Sequence, residues 1–539
     1  MRLSRRELLL GASALGLGCG ETPAPKGPIP VAETLPGLAA SAHRLRSGKP
    51  QTRVSGVERV DLLIVGAGAA GVSAAWRVAR AGFRGSVSWL ELGDRPGGTA
   101  AMGSGPSGEF PLGAHYITLP SPEAVHVRSM LQDLGIIQGF DAEGRPRYRE
   151  TDLCFDPEER LFYGGRWEPG LWPEAALSGE DRAQKAHFDA LTARLSQARG
   201  ADDRPAFALP LARSSHDPAL RALAEQSFAD FLDAEGLHSP ALRAWLRYAA
   251  RDDFGAELAQ ISAWAGLHYH CARRPDPATP LGTTVLTWPG GNGALIGALL
   301  KRVPYTPRLG VLVLSCEPEA EGWRLAALDG DALIEIQAKA VIMALPVFVV
   351  NRLVRRPSPL RAESAPWRVV NLHVDRLPAQ EGVKAAWDSV IWGAKGLGYV
   401  TNTHQLGAFG RGPATLTCYE PLSADSPDTS RAMLLNERPQ DAVDRVLDDL
   451  SAAMPGLRDR VLGAEVCPWG HGTAIPAVGL HRVGALDEAA RPLPGLSFAS
   501  ADLSGMSLFE EASFHGCRAA EEVLMGLGAL TDPRLAGPA

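Results

Sequence analysis

One turn constrains this chain more than any other feature. Val60-Asp61-Leu62-Leu63-Ile64-Val65 is a β-rich apolar run suited to a buried parallel strand, and it feeds without a break into Gly66-Ala67-Gly68-Ala69-Ala70-Gly71. A helix is predicted next, with Val72, Ala75, Val78 and Ala79 on one side. In such a turn Gly66 permits the tight bend, Gly68 lets the backbone approach a pyrophosphate, and Gly71 lets helix and strand pack closely. The phosphates then sit on the helix N-terminus, around Ala69 and Ala70, where free N–H groups and the helix dipole favour negative charge. A second strand, Ser86 to Leu90, ends at Glu91, twenty residues after Gly71, and a carboxylate there accepts hydrogen bonds from both hydroxyls of an adenosine ribose. Strand, glycines, helix, strand and acid in this order predict a dinucleotide-binding domain of Rossmann type in an α/β protein.

Just past Glu91 comes a second glycine turn, Gly93-Asp94-Arg95-Pro96-Gly97-Gly98-Thr99. Further blocks follow: Phe110 to Ile117, Trp288-Pro289-Gly290-Gly291-Asn292-Gly293 before an amphipathic helix, Val311 to Ser315, Ala338 to Pro346, and Leu496 to Asp502 before a glycine turn and a last helix. Taken together, these blocks resemble the flavin-containing amine oxidase superfamily over nearly all of the chain beyond residue 57. The resemblance implies a glutathione-reductase-like FAD domain assembled from discontinuous segments. It implies that Gly97 and Gly98 lie against the FAD with Arg95 supplying charge nearby, and that Val313 lies on the adenine side. It also implies that Asp502 touches the ribityl or phosphate region, with Met506 in the turn that closes the site. The family's arginine after the Gly-Gly pair is Thr99 here, and its acid in the closing block stands one residue later, at Asp502. The usual cysteine motif for covalent flavin attachment is missing, since Cys517 falls inside the last helix, so the FAD is expected to be noncovalent. A second glycine fingerprint for a nicotinamide is absent as well.

The expected division is an FAD-binding domain from residues 58–120, 286–350 and 466–539, and a mixed sheet-and-helix substrate domain from 121–285 and 351–465. Helical periodicity marks Leu220 to Ala234 and Pro240 to Ala250, with Arg251-Asp252-Asp253-Phe254-Gly255 read as a capped helix junction. Strands are predicted at Val369 to Val374 and Val390 to Thr403. Many relatives place a lysine near the flavin N5; a rough alignment puts Asn371 there, which suits a dehydrogenase that passes electrons to an acceptor other than oxygen. In Pro468-Trp469-Gly470-His471-Gly472, the Trp469 indole is a candidate wall for the flavin face, and the His471 imidazole, titrating near neutrality, is a candidate proton exchanger with substrate.

At the start of the chain, Arg5 and Arg6 precede an apolar run, Leu8 to Gly18, that is too short to span a bilayer. Residues 1–19 resemble a twin-arginine signal, with Cys19 in a lipoprotein-like cleavage context, and residues 20–57, rich in Pro, Ala and Gly, read as a tether. This leader implies export of a folded, cofactor-loaded protein by the twin-arginine translocase to the periplasm, free or held by a lipid anchor. A net charge of −7 over 539 residues suggests no nucleic-acid partner, and seven scattered cysteines without a CxxC pair suggest no metal. The expected activity is hydride transfer from a small organic substrate, an amine by resemblance, to FAD. The alternatives are a desaturase or isomerase of an apolar substrate and a flavin-binding partner protein without turnover.

Overall fold

The apolar run that ends at Val65 forms the strand Gly56–Val65, parallel to Val87–Leu90 on one side and to Ala332–Met343 on the other. The computed structural model describes residues 28–34, 38–47, 54–273, 285–355 and 362–533, so the twin-arginine segment with Arg5, Arg6 and Cys19 lies outside it. Two hairpins, Val311–Glu319 with Gly322–Asp329 and the latter with Ala332–Met343, extend the sheet, and Leu496–Phe498 joins in parallel at Val341–Met343. Leu62, Leu63, Ile64, Val341 and Ile342 are fully buried, as expected where helices cover a parallel sheet.

The helix Ala69–Arg80 packs against the last helix, Phe509–Gly526. Gly516 makes this crossing possible, because a β-carbon there would lie 2.2 Å from the carbonyl oxygen of Ala70. The buried pair Arg77 Nε and Glu521 Oε1, 2.8 Å apart, joins the same two helices one turn further on.

A second sheet has eight strands in the order Val31–Glu33, Val461–Ala474, Ser364–Val374, Ala414–Pro421, Tyr399–Thr401, Asp388–Ile391, Glu159–Tyr163 and Arg166–Pro169. One face packs on the amphipathic helix Pro439–Leu450, whose Val443 and Leu447 meet Val370, Leu372 and Leu416. The opposite face carries Trp367, Val369 and Tyr419 and joins a core shared with the helices Gly179–Gln197, Phe228–Ala234, Pro240–Phe254 and Ala263–Ala272. These two sheets are the α/β architecture expected from the sequence.

Several local expectations are corrected. The proposed tether is partly folded: Val31–Glu33 adds a parallel edge strand at Ala464–Val466, and Thr34 Oγ1 donates to Glu465 Oε2 at 2.7 Å. A single short apolar run sufficed for this, because the edge of the long strand offers free backbone groups. The helix expected over Leu220 to Ala234 is interrupted, because Ser227 starts a new helix by accepting the Asp230 N–H on its side chain. Conversely, the helix from Pro240 continues through Asp252 and Asp253 to Phe254. Val390 to Thr403 splits into Asp388–Ile391 and Tyr399–Thr401 around a turn, and the strand Val461–Ala474 crosses the expected boundary at 466. The six described cysteines are buried and unbridged. No helix among the described residues is long and apolar enough to cross a membrane.

Candidate cofactor and substrate site

The three turn glycines are required for different reasons. Gly66 has φ +99°, and a β-carbon on it would lie 2.2 Å from the Ala344 oxygen; one on Gly71 would lie 2.0 Å from the Gly66 oxygen. Those two positions are closed by the protein's own backbone. Gly68 is not: the nearest atom to its absent β-carbon is the Gly97 oxygen at 3.9 Å. Gly97 N donates to Ala67 O at 2.8 Å, which holds the Gly97-Gly98 turn beside Gly68, the two backbones meeting in a parallel β-bridge. The helix that starts at Ala69 has no side-chain cap at Gly68, so its first-turn N–H groups remain available to an anion. A glycine that internal packing does not demand, beside uncapped amides, fits a pyrophosphate.

Glu91 organises this end. Its carboxylate accepts from Ala67 N at 2.6 Å and from Gly93 N at 2.7 Å, which ties both glycine turns to the end of the second strand and leaves further lone pairs for a ribose. Burial holds its pKa above the usual carboxylate range against the pull of these amides. Arg95 pairs with its neighbour Asp94 and reaches toward Met102 O at 3.5 Å. Val313 is buried in the strand that follows the Glu91 contact, where Val311 N donates to Glu91 O. Asp502 Oδ2 accepts the Val347 N–H at 2.9 Å, which anchors the segment after the Ala332–Met343 strand. Met506 is fully buried in the core beside it.

Beside the inner face of the eight-stranded sheet lies a cavity of about 130 Å³. Its walls include Thr99, Gly113, Ala114 and the segment Ser507–Glu510, the sheet residues Trp367, Tyr419, Trp469 and Gly472, and Tyr116, Asp252, Asp253 and Arg273. Two aromatic side chains from the eight-stranded sheet fix the glycine-bearing segment between these walls: Trp469 Nε1 donates to Leu112 O at 2.7 Å, and Tyr419 OH to Gly113 O at 2.8 Å. His115 stacks on Tyr419 with ring centres 4.6 Å apart, and burial pushes its pKa down to about 4, so it is neutral at pH 7. Glu510 is spoken for by Thr118, whose hydroxyl donates to it at 2.6 Å.

The structure brings Trp469 to the cavity but neither His471 nor Asn371. A β-bulge opposite Ala365–Trp367 turns the next residues of the long strand, so that His471 faces outward; its ring stacks on Phe348 and its Nδ1 contacts Ser364 Oγ at 2.7 Å. Burial and the nearby Arg431 lower its pKa to about 4, which removes the near-neutral titration expected of it. On the neighbouring strand the cavity-lining residues are Trp367 and Val369. Asn371 lies two residues further along, fully buried, where its Oδ1 accepts from Thr417 Oγ1 at 2.7 Å. His115, Tyr116, Asp252, Asp253, Arg273 and Tyr419 were not assigned to the site from sequence. The Asp252-Asp253 pair was visible as a polar cluster, but only its place in the last helical turn aims it at the cavity.

Two expectations follow. Gly68→Val leaves a folded protein that purifies without flavin, whereas Gly71→Val fails to fold; flavin absorbance and thermal unfolding of both variants distinguish this from a turn that merely packs. Glu159 and Asp252, each pushed up to about 7 chiefly by burial, keep protons that the unfolded chain releases near pH 4. Stability therefore falls as pH rises from about 4.5 to 7, by up to ~1.4 kcal/mol per pH unit per group. The Asp252→Asn/Glu159→Gln pair of substitutions should flatten that slope in thermal melts, and an unchanged slope would locate the protons elsewhere.

Residues 69–524 match the family described as flavin containing amine oxidoreductase. Among solved structures, putrescine oxidase bound to putrescine superposes with a TM-score of 0.62 at 17% identity, over 87% of this chain and 100% of that one. Cyclohexylamine oxidase from Brevibacterium oxydans IH-35A gives 0.61 at 18% identity, over 87% and 99%. No curated protein matches by sequence. The structural likenesses carry the fold, and the family match spans most of the chain: this protein belongs to the flavin-containing amine oxidoreductases and is an FAD-dependent oxidoreductase.

Proposed function

We propose that the protein oxidises an organic amine, and that it does so after export as a folded flavoprotein. The observation that carries this reading is the cavity that Trp367, Tyr419 and Trp469 of the eight-stranded sheet line together with the cofactor-side segments Gly113 to Thr118 and Ser507–Glu510. FAD supplies a hydride acceptor when bound; the residues proposed to hold it are the turn Gly66 to Gly71, Glu91 and the Gly97-Gly98 pair. The chain's own contribution is placement and dryness. Trp469 and Tyr419 are pinned to backbone carbonyls, so the cavity is shaped before substrate arrives. Its wall at Gly472, Thr473, Leu508 and Phe509 carries no ionisable side chain, which favours the neutral amine whose α-carbon gives up hydride.

The residues that line the cavity include no lysine, which supports an electron acceptor other than oxygen. The arginine pair at the start of the chain supports the twin-arginine route to the periplasm, with Cys19 as a site for a lipid anchor. Under anaerobic conditions an amine substrate should bleach the flavin of the holoenzyme, with slow recovery in air and fast recovery with a quinone or dye. No bleaching across primary, secondary and cyclic amines would favour the desaturase, isomerase or non-catalytic readings. Substituting lysines for Arg5 and Arg6 should trap loaded flavoprotein in the cytoplasm, and undiminished holoprotein outside it in cell fractionation would remove the export proposal.

A further inference from the structure

We infer that the side-chain oxygen of Asn292 accepts an N–H from the reacting nitrogen of a neutral amine, which narrows the substrate class to primary and secondary amines and leaves tertiary amines without an anchor. This inference rests on the amine-oxidation reading and specifies it. Asn292 opens the helix Asn292–Leu300, and a glycine on either side seats it. Gly291 has φ +56°, and a β-carbon on it would lie 2.8 Å from His115 Cα; one on Gly293 would lie 2.5 Å from Met102 Cβ. The helix start is thereby pressed onto the segment Gly113 to Thr118 of the cavity wall. Asn292 N donates to Ala114 O at 3.1 Å, and Ala114 N donates to Thr99 O at 2.9 Å. Thr99 follows the Gly97-Gly98 pair, so backbone hydrogen bonds lead straight from Asn292 to the turn proposed to lie against the flavin.

The Asn292 side chain is held at one end. It is 2% exposed and lines the cavity, and its Nδ2 donates to Tyr116 O at 2.9 Å. That bond fixes which end of the amide is nitrogen, because the group turned over would set oxygen against oxygen. Oδ1 is then buried with no partner among the described residues. A buried amide oxygen that accepts nothing is costly, and native structures supply a donor for nearly all of them. Donors on the wall around it are directed elsewhere: Trp469 Nε1 to Leu112 O, Tyr419 OH to Gly113 O, Trp367 Nε1 to Thr473 Oγ1, and Arg273 to Asp253 and Tyr116 OH. The donor that completes Asn292 is therefore sought in the molecule that fills the cavity.

An amide oxygen is the acceptor that suits a neutral amine. A carboxylate in its place would stabilise the ammonium and hold on to the proton that must be gone before hydride leaves, whereas an amide carries no net charge and adds no such pull. An amine that donates through N–H keeps its lone pair, and that pair forms the C=N bond as the α-carbon gives up its hydride to FAD. The same hydrogen bond fixes the nitrogen against a rigid helix start and so sets where the adjoining carbon lies. A nitrogen bearing three carbon substituents gains nothing here, and it leaves the Asn292 oxygen desolvated without a donor.

The test uses holoenzyme whose flavin has been reduced beforehand with dithionite under argon, so that amines bind without turnover. Aniline, N-methylaniline and N,N-dimethylaniline, all uncharged at neutral pH, are titrated by calorimetry. The first two should bind about 5- to 10-fold more tightly than the third, the scale of one neutral hydrogen bond. In Asn292→Leu, with flavin occupancy unchanged, the ratio should collapse toward unity, whereas a residue that served only to hold Tyr116 would weaken all three alike. Asn292→Ala serves if the first variant does not fold. Equal binding of the three in the wild type, an unchanged ratio in the variant, or loss of FAD from it, which would give Oδ1 to the flavin's own N–H, would overturn the inference. A clear ratio without bleaching of the oxidised enzyme by any amine would keep this site and sink the amine-oxidation reading; bleaching by tertiary amines as readily as by primary ones would do the reverse.

Discussion

Everything in the cofactor half of this structure is registered on a backbone contact that tolerates no side chain. Gly66 is wedged against the Ala344 carbonyl, Gly71 against the Gly66 carbonyl, and Gly516 against the Ala70 carbonyl. Three segments far apart in sequence thereby meet at van der Waals distance. The central strand, the helix that leaves it and the last helix of the chain have their relative positions set by these contacts, and hydrophobic burial around Leu62 to Ile64 and Val341 then stabilises what the glycines permit. Because interiors are packed near crystal density, a shift of one segment by a fraction of an ångström would be felt by the other two.

The cavity depends on that frame at one remove. The segment Leu112–Gly113 belongs to the cofactor side, but its carbonyls are held by Trp469 and Tyr419 from the eight-stranded sheet. The eight-stranded sheet is thus tied to a cofactor-side segment by hydrogen bonds made by side chains that line the cavity. Asp252 and Asp253 reach the same space from a helix that packs on neither central strand of the first sheet. The polar end of the cavity can therefore vary in evolution without disturbing the glycine contacts.

The cofactor half was largely legible in the sequence because its requirements are local. Gly66, Gly68, Gly71 and Glu91 fall at fixed offsets along a strand, a turn and a helix, and each offset has one steric or electrostatic cause. The substrate half was not, because its geometry arises from long-range pairing. His471 was placed by its nearness to Trp469, and one β-bulge opposite Trp367 was enough to aim the two in different directions. Asn371 was aligned by counting, and the count came out two residues past the cavity. Tyr419 carries no local signal at all; only its pairing opposite Val369 brings it to the site. The polar character of Arg251 to Asp253 was visible, but not the helical phase that sorts Arg251 toward Ser423 and Asp252 into the cavity.

The short strand Val31–Glu33 has a bearing on how the protein is handled before it works. It occupies the outer edge of the eight-stranded sheet, where Thr34 N and Ala464 N complete their bonds to Val466 O and Pro30 O. Trimming that stopped upstream of residue 28 would leave this edge covered. A cut that released everything before residue 54 would instead bare the Ala464 to Val466 part of the outer edge of the strand Val461–Ala474, and unpaired edge groups are a template on which another chain can dock. Residues 30–34 therefore shield these backbone groups from pairing with another chain.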